Sequence, residues 1–220
     1  MTTTFTLTRQ PKTNASSADT RQRLVETAAV LFADRGFDHV TVREICNAAD
    51  ANVAAINYHF GDKVGLYRAV IALAISVMQE TNELTQRAGE GLSPEDQIRG
   101  FVRVLVGRLT GDGPTAWIHR LMAREIEHPT EALEQVMSQV IRPRFDYLGS
   151  VAGTIMHLPP TDARVRRCVI SLQAECLMAA RTVPPPFEKT IGPELRDREA
   201  TIHYIAEFSL GGMRALAAAQ

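Results

Sequence analysis

Residues 41–63 read TVREICNAADANVAAINYHFGDK, and this stretch decides the fold. Thr41 is a good helix N-cap, and Glu44, three residues on, completes a reciprocal capping box. Val42, Ile45 and Ala49 then fall on one helical face, while Arg43 and Asn47 point elsewhere. Asp50-Ala51-Asn52 is the turn, since Asp and Asn tolerate left-handed backbone and Asn caps the helix that follows. Over 53–60, Val53, Ile56 and Phe60 supply the buried face, leaving Ala54, Ala55, Asn57, Tyr58 and His59 on exposed flanks. Gly61-Asp62 ends that helix and Lys63 starts the next. Two short helices joined by such a turn form the geometry that lays one exposed helix in a DNA major groove. Ala54 and Ala55 allow close approach of the backbone. Asn57, Tyr58 and His59 offer hydrogen bonds to phosphates or base edges, and the Lys63 ammonium suits a phosphate.

The preceding segment supports a three-helix unit. Over 19–35, Leu24, Ala28, Leu31 and Phe32 recur at i, i+4, i+7 and i+8, the stripe of an amphipathic helix. Gly36 stops it and Phe37 tucks back toward the same core.

The string TRQRLVETAAVLFADRGFDHVTVREICNAADANVAAINYHFGDKVGLY resembles, in order and spacing, the N-terminal domain of the TetR/AcrR family of bacterial transcriptional regulators. AAINYHF followed by GDK is close to the version in the CerR-like branch of that family. The family pattern usually has Gly where this chain has Asp50 and Thr where it has Ala55. Asp can adopt the left-handed turn conformation. Ala55 removes a hydroxyl that commonly meets DNA and leaves close approach or a thymine-methyl contact in its place. The resemblance implies that 53–60 enters the major groove with Arg43 as a base contact. It also implies that Thr41, Tyr58, His59 and Lys63 hold phosphates, with Val42, Ala54, Ala55 and Asn57 completing the DNA-facing set.

Composition limits the other possibilities. Lys and Arg number 24 against 25 Asp and Glu, a net charge of −1, and the two signs nearly balance over 1–68 as well. Charge therefore announces neither a nucleic-acid coat nor an acidic partner. Residues 1–18 are polar, rich in Thr and Ser, and carry Arg9 and Lys12 without an acid. They read as a disordered tail or, less simply, a minor-groove arm. No uninterrupted apolar run of about 18 residues or more occurs, so no membrane partner is expected. The start of the chain lacks the apolar stretch of a signal peptide. Cys46, Cys168 and Cys176 all sit in helical patterns, which argues against a secreted disulfide framework and for the cytoplasm.

Beyond Lys63 the pattern is helical throughout, so the fold class is all-α. The expected organisation is a tail over 1–18, a helix-turn-helix DNA-binding domain over 19–66, and a helical ligand-binding and dimerisation domain over 67–220. A long helix over about 62–87 leaves the reading head. Ser93-Pro94-Glu95-Asp96 starts another, which continues to Gly111-Asp112-Gly113-Pro114. Further helices are expected over about 115–128 and over 130–156, the latter kinked at Pro143. The final helices, 161–183 and about 196–218, are apolar on more than one stripe. They therefore need cover on two faces. Either the rest of a monomer core or a second copy of the chain would supply that cover. A second copy would also present two reading heads to two half-sites, the arrangement the resemblance favours.

Polar residues in apolar helical surroundings mark a candidate effector pocket: Trp117, His119, Arg124, Tyr147, Glu175 and Met178, with Arg144 and Gln173 recurring in helices expected to pack nearby. An enzyme finds little support. HPTE at 128–131 lacks a second His at zinc-protease spacing, and neither a phosphate-cradling glycine loop nor a nucleophile elbow occurs. Cys168 and Cys176 lie about 12 Å apart along a helix at ~1.5 Å per residue, too far to bond within one chain. No catalytic residue, metal site or cofactor is expected. The sequence thus points to a homodimeric, ligand-responsive regulator, most naturally a repressor, binding double-stranded operator DNA and a small-molecule effector. A helical enzyme or a non-specific architectural DNA-binding protein is the alternative.

Overall fold

The computed structural model describes residues 17–109, 116–179, 189–190, 192 and 197–218. Of the expected tail over 1–18, residues 1–16 lie outside them, as do the 111–114 break and the end of the helix expected to reach 183. Ser17 and Ala18 are not tail but the first residues of a helix. Every regular element among the described residues is helical. In chain order these are α1 (Ser17–Arg35), α2 (Val42–Ala48), α3 (Val53–Phe60), α4 (Lys63–Gly89), α5 (Pro94–Leu109), α6 (Trp117–Glu127) and α7 (Ala132–Val136). A π-helical turn (Met137–Ile141) then leads into α8 (Arg142–Met156), followed by α9 (Ala163–Ala179) and α10 (Arg198–Ala218).

Two hydrophobic cores organise these helices. The first joins α1, α2, α3 and the first half of α4, through Leu24, Phe32, Ile45, Ile56, Leu66 and Ile71. It does not stop at residue 66: Trp117, Ile118 and Leu121 of α6, Val136 of α7 and Val140 of the π turn belong to it. The second core lies among α5, α8, α9 and α10, around Phe101, Leu105, Leu148, Met156, Leu172, Ile205 and Leu210. The helix α4 is long and apolar enough to cross a membrane by length and composition. Its Leu66, Val70, Ile71, Ala74 and Ile75 are instead buried against the rest of the protein, as core residues are.

The kink expected at Pro143 takes a specific form. Pro143 has no N–H to give the carbonyl of Gln139 four residues earlier. The chain widens by one residue, and the Arg142 N–H bonds the Met137 carbonyl. Side chains of α4 reach across to the turn. Gln79 Nε2 donates to the Gln139 carbonyl at 3.4 Å, and Asn82 Nδ2 donates to the Val140 carbonyl at 3.1 Å. The π turn is therefore stitched to α4, the helix that emerges from the head.

Candidate nucleic-acid interface

The capping box at α2 is formed in both directions. Thr41 Oγ1 accepts from the Glu44 N–H at 3.3 Å, and Glu44 Oε2 accepts from the Thr41 N–H at 2.8 Å. Arg35, at the end of α1, donates to Glu44 Oε1 at 2.8 Å and to the His39 carbonyl at 2.7 Å, tying α1 to the start of α2. The Thr41 hydroxyl, the Thr41 N–H and the Arg35 guanidinium together hold the Glu44 carboxyl down at about 2. Asp50 takes the left-handed backbone expected of it, with φ 46°, and Asn52 caps α3 by accepting from the Ala54 N–H at 3.0 Å.

The second helix, α3, is pinned lightly and exposed broadly. Ile56 is its one fully buried side chain, with Ala55, His59 and Phe60 half-buried. Ala54, Asn57 and Tyr58 face outward, Tyr58 at 80% exposure. Val53 differs from expectation: it is 41% exposed and does not belong to the buried face. It sits in the first turn of an eight-residue helix whose hold on the core comes through Ile56 one turn later. Arg43 and Thr41 are exposed on α2 beside this face, and Val42 is half-buried in the core.

The junction between α3 and α4 depends on a residue the sequence reading passed over. A Cβ added at Gly65 would lie 1.9 Å from the carbonyl oxygen of Phe60, so only glycine allows the two helices to meet there. Gly61, with φ 80°, makes the turn, and Asp62 caps α4 by accepting from the Gly65 N–H at 2.7 Å. The G-D-K-V-G spacing was the available signal. Lys63 is half-buried, its ammonium 4.3 Å from the Phe37 ring centroid, and the Arg21 guanidinium lies 5.3 Å from the Phe60 ring. Both cations rest on aromatic faces at the edge of the α3 surface.

The residues expected to form an effector pocket divide between α6, on the first core, and α8 and α9, on the second. Trp117 is buried in the first core. His119 is half-buried on α6. Arg124 clasps the end of α1, donating to the Ala33 carbonyl at 2.8 Å and to the Asp34 carbonyl. Tyr147 donates to Gln97 Oε1 at 3.3 Å in the second core, and its hydroxyl closes over Gly89, where a Cβ would come within 2.9 Å of it. Glu175 lies on α9 with Oε2 buried and unpartnered, and burial raises its carboxyl above the ordinary range. Met178 is 61% exposed. Long-range packing separated them: α6 packs on α1, whereas α9 packs on α8 and α10.

The packing of α6 gives the head a second anchor. Glu125 is 2% exposed and accepts from the Tyr67 hydroxyl, from the Thr130 N–H at 3.2 Å and from Thr130 Oγ1 at 2.9 Å. Burial and the neighbouring Glu125 push the Tyr67 hydroxyl pKa well up. Tyr67 also stands edge-on to Phe32 and Phe37, with centroids 5.1 and 4.9 Å away, so the network binds α1, α4, α6 and the start of α7.

Residues 24–70 match the model of bacterial regulatory proteins of the tetR family, and residues 94–213 match the C-terminal domain of the HTH-type transcriptional dual regulator CecR. The chain belongs to the TetR family. It is 30% identical over 164 residues to CecR of Shigella flexneri, covering 70% of this chain and 73% of that protein. The repressor BepR of Brucella suis is 24% identical over 162 residues, covering 73% and 68% respectively. YttP of Bacillus subtilis is 27% identical over 119 residues, and there the chain spans 56% of the relative's length. Among solved structures, a TetR-like regulator from Rhodococcus sp. RHA1 superposes with a TM-score of 0.65 over 95% of this chain and 99% of its own, at 18% identity. AibR bound to isovaleryl coenzyme A and operator DNA gives 0.63 over 87% and 96%, also at 18% identity. These likenesses establish the fold. As a TetR-family member the chain is a transcriptional regulator and not an enzyme.

Proposed function

We propose that this TetR-family chain works as a homodimeric, effector-responsive repressor that reads double-stranded operator DNA with α3. The observation that carries the reading is the outward face of α3. Ala54, Asn57 and Tyr58 stand exposed on a helix held by Ile56, flanked by Arg43 and braced at its end by Gly65. Arg43 is the base-reading candidate, while Thr41, Tyr58, His59 and Lys63 meet phosphates. Ala55 is half-buried and serves close approach. BepR is named a repressor and AibR was solved on operator DNA, which supports the same role here.

Pairing would run through α9 and α10. Ile170, Leu177 and Met178 on α9 and Tyr204, Phe208 and Leu216 on α10 are 41–61% exposed. Tyr204 and Phe208 stack, with centroids 5.6 Å apart. A shallow groove of about 170 Å³ between the helices is lined by Cys168, Glu175, Phe208 and Gly212. So much apolar surface on adjacent helices suits a self-complementary interface. The effector acts on the helical body, and α4 carries its effect to the head. A coupling of ~1–3 kcal/mol suffices for useful control. The place of action is the bacterial cytoplasm, where the operator is.

The test is selection of genomic fragments by the purified full chain. Enrichment of an inverted repeat whose half-sites are separated by about one helical turn or a multiple of it supports the reading. Enrichment without any common sequence would favour an architectural DNA binder instead.

A further inference from the structure

Arg144, in the first turn of α8, is 8% exposed, yet only its Nε has a partner: the neutral amide oxygen of Asn82 at 2.7 Å. Among the described residues no carboxylate pairs with its guanidinium. The ionisable group that acts on it is the Cys176 thiol, which burial and Glu175 push up to about 12 and so hold neutral. Burial holds the guanidinium itself down at about 10, still charged at any physiological pH. Gln173, one turn before Cys176 on the same buried face of α9, is 6% exposed, and its Nε2 has no hydrogen-bond partner. A guanidinium on a buried residue without a carboxylate partner, and a buried amide donor without an acceptor, thus lie on two helices packed against each other. The amide is costly to leave unmet, and a charge on so buried a residue favours a counter-ion.

We infer that Arg144 and Gln173 form the polar end of an effector site for a small organic monocarboxylic acid, the carboxylate meeting the Arg144 fork and the Gln173 amide. The inference rests on the effector-responsive reading above and names the effector's chemical class. One cation and one neutral donor balance a single negative charge. A phosphate dianion would need a second cation, and the raised Glu175 carboxyl beside Cys176 makes the region less tolerant of further charge. The guanidinium is planar and presents two parallel N–H groups, the geometry a carboxylate takes.

The site also has a path to the head. Arg144 Nε holds Asn82 Oδ1, and Asn82 Nδ2 holds the Val140 carbonyl in the π turn. An anion that draws the Arg144 guanidinium toward itself competes with Asn82 and loosens the stitch between α4 and that turn. At the other end of the same helix α4, Asp62 and Gly65 fix its junction with α3.

The experiment uses the full-length protein and a panel of monocarboxylates from acetate to dodecanoate plus benzoate and phenylacetate. Each is paired with its primary amide, and inorganic phosphate serves as a control. Binding is followed by calorimetry and thermal shift, with DNA binding measured in parallel. At least one carboxylate is expected to bind at least about tenfold more tightly than its amide, as one lost charge-assisted pair implies. Phosphate is expected to give no shift. Arg144→Met, which also removes the donor to Asn82 Oδ1, should erase the preference for the acid while the protein stays helical by circular dichroism. Gln173→Leu should weaken acid binding, and amide binding less, because the bond to the carboxylate is the charge-assisted one. Three results each overturn the inference: equal affinity for acid and amide, wild-type acid binding by Arg144→Met, or no carboxylate bound across the panel. Any of these alongside intact DNA binding leaves the regulator reading standing. Loss of DNA binding by the wild-type protein refutes that reading independently, whatever the carboxylates do.

Discussion

The Tyr67–Glu125 bond is the sharpest prediction about what fixes the reading head to the helical body. Tyr67→Phe removes one hydroxyl and no carbon, so no cavity of consequence forms. Glu125 is 2% and Tyr67 6% exposed, so water cannot replace the lost donor. The carboxylate keeps the Thr130 N–H at 3.2 Å and Thr130 Oγ1 at 2.9 Å, so one of its three donors is lost. A hydrogen bond to a charged group in such a place is worth about 1.5–3 kcal/mol. At about 2–4 °C per kcal/mol for a chain of this size, Tm should fall by roughly 3–12 °C. Thermal melting followed by circular dichroism measures the fall. A double-mutant cycle with Glu125→Gln assigns it to the pair, since partners that interact directly do not add. Hydrogen exchange should show the loss of protection concentrated in α1, the first half of α4 and α6, which share the first core. A melting point within about 1 °C of wild type, with additive single effects, would refute the argument that this buried bond anchors the head.

Other residues give further tests. Lys63→Ala is expected to weaken binding to all DNA sequences alike and to reduce the salt slope by about 1 per subunit, whereas Arg43→Ala should relax preference at one base position; titrations over a salt series separate them. Gly65→Ala should abolish DNA binding while leaving the second core folded, because its Cβ meets the Phe60 carbonyl and forces α3 from its seat; footprinting and circular dichroism together check this. The Glu44 carboxyl is held at about 2 against an ordinary 4.5, so its cap is complete above about 4.5 and is lost as pH falls through 2. Glu44→Ala should therefore flatten the acid limb of the stability profile in that window, measured by denaturant titration at successive pH values. Phe208→Glu places a charge on the exposed face of α10; if the proposed pairing runs through that face, the variant should sediment as a helical monomer where the wild type sediments as a dimer.

The head was legible in the sequence because its determinants are local. A capping box links residues three apart, an Asx cap residues two apart, and a left-handed turn needs one. Thr41, Asp50 and Asn52 each behave as those short rules require. Val53 was read as buried because period alone cannot tell how much of a short helix touches its neighbours, and here Ile56 carries the contact. The start of α5 was equally plain, with Ser93 accepting from the Asp96 N–H at 3.2 Å. What the sequence could not supply was the partner of each helix. The polar residues on α6 looked like pocket lining, yet Arg124 is spent on the carbonyls of Ala33 and Asp34, about ninety residues away in sequence. Arg144 and Gln173 stood out as polar residues in apolar helices. Their isolation became visible only once α4, α8 and α9 were seen packed, because an unpaired charge is a property of the surroundings and not of the residue.

The central claim is that α3 reads a two-fold DNA site, and hydroxyl-radical footprinting of the selected fragment tests it most directly. Wild-type protein should protect two symmetric half-sites about one turn (~34–36 Å) or a multiple of it apart, with protection fading steeply as salt rises. Asn57→Ala/Tyr58→Ala, changed on the exposed face of α3 and outside the core, should lose that protection while remaining a folded dimer. Undiminished protection by this variant would contradict the account and place the DNA-reading surface elsewhere on the protein.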